Sequence, residues 1–396
     1  MKRCFLNRYT LKQVKKGNLT TIPFELKDIS LMDPKRGLIF PKLTYSPVIT
    51  AKIKRLTDKF KSYWGQLSQS GALEMGYNSA AANEKLDELS MPIDKWLSGH
   101  NLSELIPLFY PPITAQGYGD VRNIAVLYAM KLIVAEDIEL LTLIGDNTAF
   151  QVKEGFDTFV HRIAETVRDK YLGWRAVRIE RLRQTGTQQV TFRVGNFQIV
   201  RTCGKTILAF PPLLGQVATL LSDINWKEKH IFSQVKVHKY MTSGNDIPNL
   251  QRNVYLGLVP ISRNESRDII PELIPYAGDG EVVAFTKQMK GTRPYYTGYS
   301  WIYGDYTDPA NGADIFLMLT KLTGTLRKIH PFSRTLFTSV TDYFPHVTGQ
   351  SIRDGFYRDF ESIQGDGGLY FATTLLTFET VNGAIEMGEK FVDKYF

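Results

Sequence analysis

The sequence predicts a mainly α-helical protein with two helical lobes, a small β-hairpin near the middle and an extended N-terminal arm. Three observations predict this class: long stretches repeat apolar residues every three to four positions, one short stretch alternates with a period of two, and prolines crowd the N-terminal 50 residues. Of 396 residues, 43% are hydrophobic and 12% aromatic, which excludes wholesale disorder. We expect an arm over 1–50, an N-terminal lobe over 51–215 and a C-terminal lobe over 216–396.

The arm is predicted from Pro23, Pro34, Pro41 and Pro47, which lie among apolar residues. Proline at this density excludes a helix and restricts each preceding residue to extended conformations. The apolar residues between the prolines are too numerous for a solvated linker. The arm is therefore expected to lie over its own lobe or over a neighbouring copy.

Helical spacing begins at Ala51, where the apolar residues are Ile53, Leu56, Phe60, Trp64 and Leu67. An almost wholly apolar helix is predicted over 120–144, and an arginine-rich helix over 154–184. Period-two alternation follows around Gly195 and Asn196, which predicts a hairpin. Residues 240–310 are rich in Pro, Gly and Tyr and are predicted to be mostly loops. Helices are predicted again over 313–329, 351–363 and 369–391.

Charge is clustered along the chain, although the net charge is only +8. Residues 1–61 carry 15 Lys and Arg against 4 acidic residues, and residues 162–205 carry 10 against 3. Between these blocks, residues 62–161 carry 5 basic residues against 13 acidic ones. Clustered basic charge attracts polyanions, of which nucleic acid is the commonest, whereas the alternative interpretation is that the charge only keeps the protein soluble.

The candidate RNA-binding residues come from the second basic block and from a tyrosine-rich segment over 287–306. Cations neutralise phosphates while aromatic rings stack on unpaired bases, although large aromatic residues also pack commonly into cores. The basic candidates are Arg162, Arg168, Arg175, Arg178, Arg181, Arg183, Arg193, Arg201, Lys205, Lys287, Lys290 and Arg293. The aromatic candidates are Tyr295, Tyr296, Tyr299 and Trp301.

Motifs of known enzyme classes are absent from the sequence. The Gly204-Lys205-Thr206 run resembles the end of a phosphate-binding loop, but Ile199 stands where that loop needs a glycine. No HExxH, GxSxG or dinucleotide-type GxGxxG occurs. Cys4 and Cys203 form neither a disulfide framework nor a zinc pattern, and no apolar run is long enough for membrane insertion. We therefore expect no catalytic residues, no metal and no cofactor, in a reducing compartment.

A basic proline-interrupted arm, an arginine-rich centre and two helical lobes within about 400 residues resemble, in layout, the nucleoproteins of negative-strand RNA viruses. The resemblance implies a non-enzymatic structural protein that encapsidates single-stranded RNA as a homo-oligomer, in a helical nucleocapsid. It also implies a virion location, the host cytoplasm or nucleus, and a viral polymerase or phosphoprotein as partner. An icosahedral coat protein is the first alternative, and a cytosolic enzyme with a scattered active site is the second.

Overall fold

The structure is a computed structural model, and it describes residues 8–25, 29–40, 46–133, 148–260, 273–275, 279–290, 293–306 and 311–396. Its helices and strands are interspersed along the chain, and we number each kind in chain order. The helices are α1 (Arg8–Lys16), α2 (Pro47–Gln69), α3 (Ala80–Glu84), α4 (Leu86–Ser90), α5 (Ile93–Gly99), α6 (Ile106–Ile113), α7 (Val126–Leu132), α8 (Phe156–Glu165), α9 (Leu214–Leu220), α10 (Trp226–Ser233), α11 (Gly312–Ile329), α12 (Gly349–Arg353), α13 (Phe356–Glu361) and α14 (Val381–Tyr395).

The strands divide among one large sheet and several small ones. They are β1 (Thr21–Glu25), β2 (Ile29–Asp33), β3 (Leu38–Phe40), β4 (Thr148–Val152), β5 (Arg175–Leu182), β6 (Thr187–Val194), β7 (Phe197–Cys203), β8 (Thr206–Leu208), β9 (Lys236–Asp246), β10 (Val254–Leu256), β11 (Leu258–Pro260), β12 (Leu273–Pro275), β13 (Val282–Lys290), β14 (Arg293–Tyr306), β15 (Arg334–His346) and β16 (Leu369–Phe371).

A seven-stranded sheet with the order β15-β9-β14-β13-β10-β2-β3 is the largest β structure. Its pairings are antiparallel except that of β10 with β2, which is parallel. Strands β5, β6 and β7 form a separate antiparallel meander, and β8 pairs in parallel with β16. The protein is therefore a mixed α/β structure.

Both faces of the large sheet are covered. Met318 and Leu322 of α11 pack on one face against Phe285. The neighbouring residue Ala284 faces the opposite side and packs near Tyr110 of α6, because successive strand residues point to opposite faces. The sheet is thus held between α11 and a mainly helical body.

The helical body has one continuous hydrophobic core, which we call the first core. It joins α2, α5, α6, α7, α9, α10, α13 and α14. Fully buried rings such as Phe60, Trp96, Phe232 and Phe391 contribute from distant parts of the sequence. Burial of each such side chain contributes about 1.5–3 kcal/mol. The first core therefore draws on residues from both halves of the chain.

Two helix predictions and the hairpin are confirmed. Helix α2 begins after Ser46, whose side-chain oxygen accepts a hydrogen bond from the Ile49 amide at 3.2 Å, and Pro47 occupies its first turn. Helix α11 begins with a capping box formed by Asn311 and Asp314. Strands β6 and β7 form the predicted hairpin, with Gly195 at a φ of 58°.

The prediction of a mainly α protein is wrong, and residues 240–310 show the reason. The tyrosine-rich segment predicted as a loop forms the end of β13 and all of β14, because Tyr, Trp and Thr favour a pleated and half-buried surface. The helix predicted over 154–184 ends at Glu165, and after Gly173, with a φ of 83°, the chain continues as β5. Of the helix predicted over 120–144, the structure has only α7, because residues 120–125 are not helical and residues 134–147 lie outside the described residues.

No helix within the described ranges has the length and apolar character that crossing a membrane requires.

Candidate active site

A cavity of about 450 Å³ lies between residues 118–128 and the neighbouring ends of β9 and β15. Aromatic and aliphatic side chains form much of its wall: Tyr118, Ile124, Tyr128, Phe344 and Val347. Polar groups converge on it from Asp120, Asn123, His238, His346 and Thr348. A concave space of this size, with apolar side chains and several convergent polar groups in its wall, is typical of a small-molecule site.

The end of β15 carries a β-bulge that shapes the cavity. Tyr343 pairs with His238, whereas His346 pairs with Lys236, so β15 has one residue more than β9 across this interval. Within the bulge Phe344 has a φ of 50°, in the left-handed region that non-glycine residues seldom adopt. The bulge turns both Phe344 and His346 towards the cavity.

Two buried histidines lie side by side in the cavity wall. The His346 Nδ1 atom is 2.7 Å from the Phe344 carbonyl oxygen. A carbonyl oxygen only accepts hydrogen bonds, so Nδ1 carries the proton and Nε2 is the basic nitrogen of the neutral ring. His238 Nδ1 lies 3.0 Å from the Gly304 carbonyl oxygen, and the Gly304 amide also donates to this nitrogen at 3.4 Å. The two ring centres are 4.8 Å apart, and the Phe344 ring stacks on His346 at 4.7 Å.

Tyr128 anchors the opposite wall. The Val347 amide donates a hydrogen bond to the Tyr128 hydroxyl at 2.9 Å, and the hydroxyls of Tyr128 and Tyr357 are 2.8 Å apart. Burial raises the pKa of both tyrosines, so both stay protonated at neutral pH. The pair ties α7 and α13 to the chain just beyond His346 and holds that part of the wall in place.

Glu379 lies behind Phe344 and is linked to the wall through it. The Phe344 amide donates a hydrogen bond to Oε2 of Glu379, and the Tyr118 hydroxyl donates to the Glu379 carbonyl oxygen at 3.3 Å. Burial raises the pKa of the Glu379 carboxyl to about 7, although the hydrogen bond from the Phe344 amide lowers this pKa. Perturbed carboxyls beside a cavity are common at active sites.

A stack of aromatic rings supports the cavity from behind. Tyr118 stacks on Tyr343 at 5.4 Å, Tyr343 on Tyr240 at 4.4 Å, and Tyr240 on Trp301 at 5.9 Å. Gly117 passes close to this stack, since a Cβ atom there would lie 3.0 Å from the Tyr343 ring. The stack therefore joins the sheet to residues 117–118 with little spare space.

Asp120 is neutralised by its neighbour Arg122. The Arg122 amide and Nε both donate to Asp120 Oδ1, at 2.8 and 2.9 Å. Burial works against ionisation of Asp120, but these hydrogen bonds outweigh it and lower the pKa of the carboxyl. Asp120 thus brings no uncompensated negative charge to the cavity.

The arginines predicted to bind RNA include both buried and exposed residues. Arg181 is buried in an ion-pair cluster with Glu228 and Asp223, and Arg183 pairs with Asp366. Other predicted cations have exposed side chains: Arg162, Arg168, Arg175, Arg178, Arg193, Arg201 and Lys205. Arg162 and Arg178 have acidic partners, and Lys205 donates to the Tyr395 carbonyl oxygen.

The predicted aromatic candidates are largely structural. Tyr296 and Trp301 are buried, and Tyr299 is half-buried with its hydroxyl 3.2 Å from that of Thr286. Tyr295 is half-buried on β14, and Lys287 on β13. The side chains of Lys290 and Arg293 lie outside the described residues. Tyr295, Tyr299 and Trp301 lie on one face of β14, and Tyr296 lies on the other. On the shared face, the Tyr240 ring packs against Tyr299 and Trp301, at 6.0 and 5.9 Å.

Sequence reasoning missed the residues of the cavity. Neither His238 nor His346 falls in a zinc-ligand motif, so no sequence pattern marks them. In the described ranges no group of three or more His, Cys, Asp or Glu could hold a metal ion. The sequence feature that could have indicated this site is Glu379, an acidic residue that directly follows the mainly apolar run from Leu375 to Phe378. An acidic residue next to such a run is expected to be buried, and a buried carboxyl is a candidate functional group.

Solved structures with a similar fold include an isomerase and two oxidases. A CLA-producing fatty acid isomerase from P. acnes matches with a TM-score of 0.70 and 17% identity, over 98% of this chain and 85% of that one. Putrescine oxidase bound to putrescine matches with a TM-score of 0.59 and 13% identity, over 99% and 86% of the two chains. Cyclohexylamine oxidase from Brevibacterium oxydans IH-35A matches with a TM-score of 0.53 and 16% identity, over 98% and 85%. No protein-family model matches the sequence, and no curated protein is similar enough to count as a match.

The nucleoprotein hypothesis is wrong, because nearly the whole chain follows the fold of these enzymes. The predictions of RNA encapsidation, a capsid or helical nucleocapsid and a virion or nuclear location are overturned with it, and so is the prediction of a non-enzymatic protein. The sequence identities are low, so the likeness concerns the fold. The chain shares a mixed α/β fold with these solved structures.

Proposed function

We propose that this chain is an enzyme that transforms a small, largely apolar substrate in the cavity, with His346 as its acid–base group. The observation that carries the proposal is the buried His346 in the cavity wall, with Nδ1 held by a carbonyl oxygen and Nε2 as its basic nitrogen. An isomerase and two oxidases of the same fold support it.

The roles of the chain's residues follow from their chemistry. His346 Nε2 takes a proton from the substrate or returns one, while the Phe344 carbonyl oxygen holds the ring in one tautomer. The rings of Tyr118 and Phe344 contact the hydrocarbon part of the substrate and exclude water, which strengthens polar interactions in the cavity. Glu379 is a positioning residue, since it acts on His346 through the backbone of Phe344.

The cavity favours an apolar substrate over a diamine. A diammonium substrate requires negative charge, and the carboxylate in the lining, Asp120, is already paired with Arg122. The aromatic and aliphatic part of the wall suits an alkyl chain instead. Unsaturated fatty acids are therefore the first substrates to test, followed by putrescine and cyclohexylamine.

The fold implies a flavin, and the start of α14 offers a place for its ring system. Asn382, in the first turn of α14, has a buried side-chain oxygen without a hydrogen-bond partner among the described residues. The N-terminus of this 15-residue helix favours an electron-rich group such as a flavin carbonyl. The Asn382 oxygen is an acceptor that would take a ring N–H, and the first-turn amides would face a ring carbonyl, whereas the chain's sequence contains no GxGxxG loop for the pyrophosphate. A bound flavin would supply hydride acceptance from a substrate carbon.

The test incubates the purified chain with FAD or riboflavin and then with each substrate. Oxidation is followed by release of hydrogen peroxide, and isomerisation by chromatography of the fatty acids. We expect His346→Gln to lower turnover by about 100-fold or more, because general acid–base catalysis contributes on that scale.

His161→Gln is the matched control, because His161 is an exposed histidine on α8, outside the cavity. It should leave turnover unchanged. The proposal is overturned if no substrate is transformed, or if the two histidine variants are equally active.

A further inference from the structure

We propose that one end of the β5-β6-β7 meander docks on an anionic lipid surface. The docking surface, which we call the meander tip, comprises residues 168–175 and 193–201. Docking at this tip is independent of the cavity and of the proposed activity. It rests on three features: the strand register, the exposed apolar side chains and the arrangement of arginines.

The register brings two segments together at the tip. Val194 pairs with Phe197 at the β6–β7 turn, and Arg193 pairs with Arg175 at the start of β5. The segment that leads into β5 therefore meets the β6–β7 turn at the same end of the meander. Trp174 joins them, since its ring lies 5.5 Å from Phe192 and 4.5 Å from Tyr171.

Large apolar side chains protrude from the tip. Leu172 is 92% exposed and Phe197 is 76% exposed, and Tyr171 and Val200 are also exposed. A single exposed apolar residue is ordinary, but several at one end of a small sheet indicate an interaction site. Apolar tips on a basic surface are the usual means by which proteins adsorb to membrane interfaces.

Two arginines of the meander tip lie so close together that their charges repel each other in the isolated protein. Arg175 and Arg193 lie directly opposite each other on adjacent strands, where like charges repel. Both side chains are exposed, and within the described part of the chain neither forms an ion pair. Arg168 and Lys170 add positive charge nearby, and Asp169 is the acidic residue of the tip. A layer of anionic headgroups would relieve the repulsion between the arginines.

The exposed apolar residues favour lipid over nucleic acid as the partner. Leu172 has no aromatic face to stack on a base, yet its side chain is almost fully exposed. An aliphatic side chain in that position lowers its free energy by leaving water and entering the acyl region of a bilayer. Arg201 lies over the Trp174 ring at 5.7 Å, so this indole already has a cationic partner.

The test is co-sedimentation of the full chain with vesicles of phosphatidylcholine alone or mixed with phosphatidylserine. We expect binding to the mixed vesicles at least about tenfold stronger than to phosphatidylcholine, and weaker binding as salt rises. The double variants Leu172→Glu/Phe197→Glu and Arg175→Gln/Arg193→Gln should each lower binding to the mixed vesicles by about tenfold or more.

Phe332→Glu is the matched control, because Phe332 is 80% exposed in the turn between α11 and β15. It should bind as the unaltered chain does, and circular dichroism should show every variant folded. Equal binding to both kinds of vesicle, no binding, or an equal loss in the control would overturn the proposal. So would binding to a single-stranded RNA oligonucleotide that depends on the arginines while the vesicles stay unbound, since the partner would then be nucleic acid.

Discussion

Phe344 has a backbone conformation that a non-glycine residue occupies only when its surroundings impose it. A left-handed φ of 50° costs about 1–3 kcal/mol. Both polar groups of its backbone are held, because the amide donates to Glu379 and the carbonyl oxygen accepts from His346 Nδ1. The strained backbone of Phe344 holds the His346 ring in one orientation. Glu379 and Phe344 are therefore part of the site, although the Glu379 carboxyl lies behind the cavity wall.

The first prediction concerns the pH dependence of stability due to Glu379. Burial raises its pKa from an ordinary 4.5 to about 7 in the folded protein. Between these values the folded state binds more protons than the unfolded state, so the free energy of unfolding falls as pH rises through this interval. The loss is at most about 3 kcal/mol.

Glu379→Gln should flatten this dependence, because glutamine does not titrate. Urea unfolding of both proteins between about pH 5 and pH 8 measures the two slopes. Tyr118, Tyr240 and Tyr343, which interact with Glu379, have raised pKa values and stay neutral over this range. Parallel slopes in the two proteins would show that the carboxyl does not titrate there.

At the scale of the element, β5 is an example of a strand whose charges have different roles along its length. Arg175 lies at the exposed end, whereas Arg181 is fully buried six residues later. Arg181 donates to Glu228 of α10 and to Asp223 and Asp366, and it thereby ties the meander to the helical body. Alternation along the strand places Ile179 and Arg181 on its inner face.

The second prediction is that Arg181→Met destabilises the protein by about 3–5 kcal/mol, because it leaves the Glu228 carboxylate buried without its partner. Urea unfolding at neutral pH measures the change. Arg183→Met is the control, since its ion pair with Asp366 is partly exposed and such pairs contribute about 0–1 kcal/mol. An equally small change in both variants would contradict the role assigned to Arg181.

At the scale of the whole molecule, the first core is shared between the two halves of the chain. Phe60 and Trp96 come from the N-terminal half, and Phe360 and Phe391 come from near the C-terminus. The domain boundaries at residues 50 and 215 stay a prediction. Separate expression of 1–215 and 216–396 tests the second boundary.

The third prediction is that neither of these fragments folds by itself, because each would expose its share of the first core to water. Near-ultraviolet circular dichroism of each fragment and of an equimolar mixture measures fixed packing of the aromatic side chains. The mixture should recover part of the signal of the intact chain. A fragment that alone shows a cooperative unfolding transition would establish an independent domain.

Local signals in the sequence determined several elements. Helices α2 and α11 follow from apolar residues at helical spacing, with Ser46 and Asn311 at their starts. The β6–β7 hairpin follows from alternation around Gly195. Each of these depends on residues close together in the chain, so periodicity and capping are enough to place it.

Only the tertiary structure decided the large sheet and the site. The tyrosine-rich strand β14 lies between β9 and β13, and it is these partners that make it a strand. His238 and His346 meet because β9 pairs with β15. Glu379 is linked to His346 through the backbone of Phe344, because the segment before α14 packs behind Phe344. Their chemistry depends on burial and on hydrogen bonds between residues far apart in the chain, and these exist only once the chain has folded.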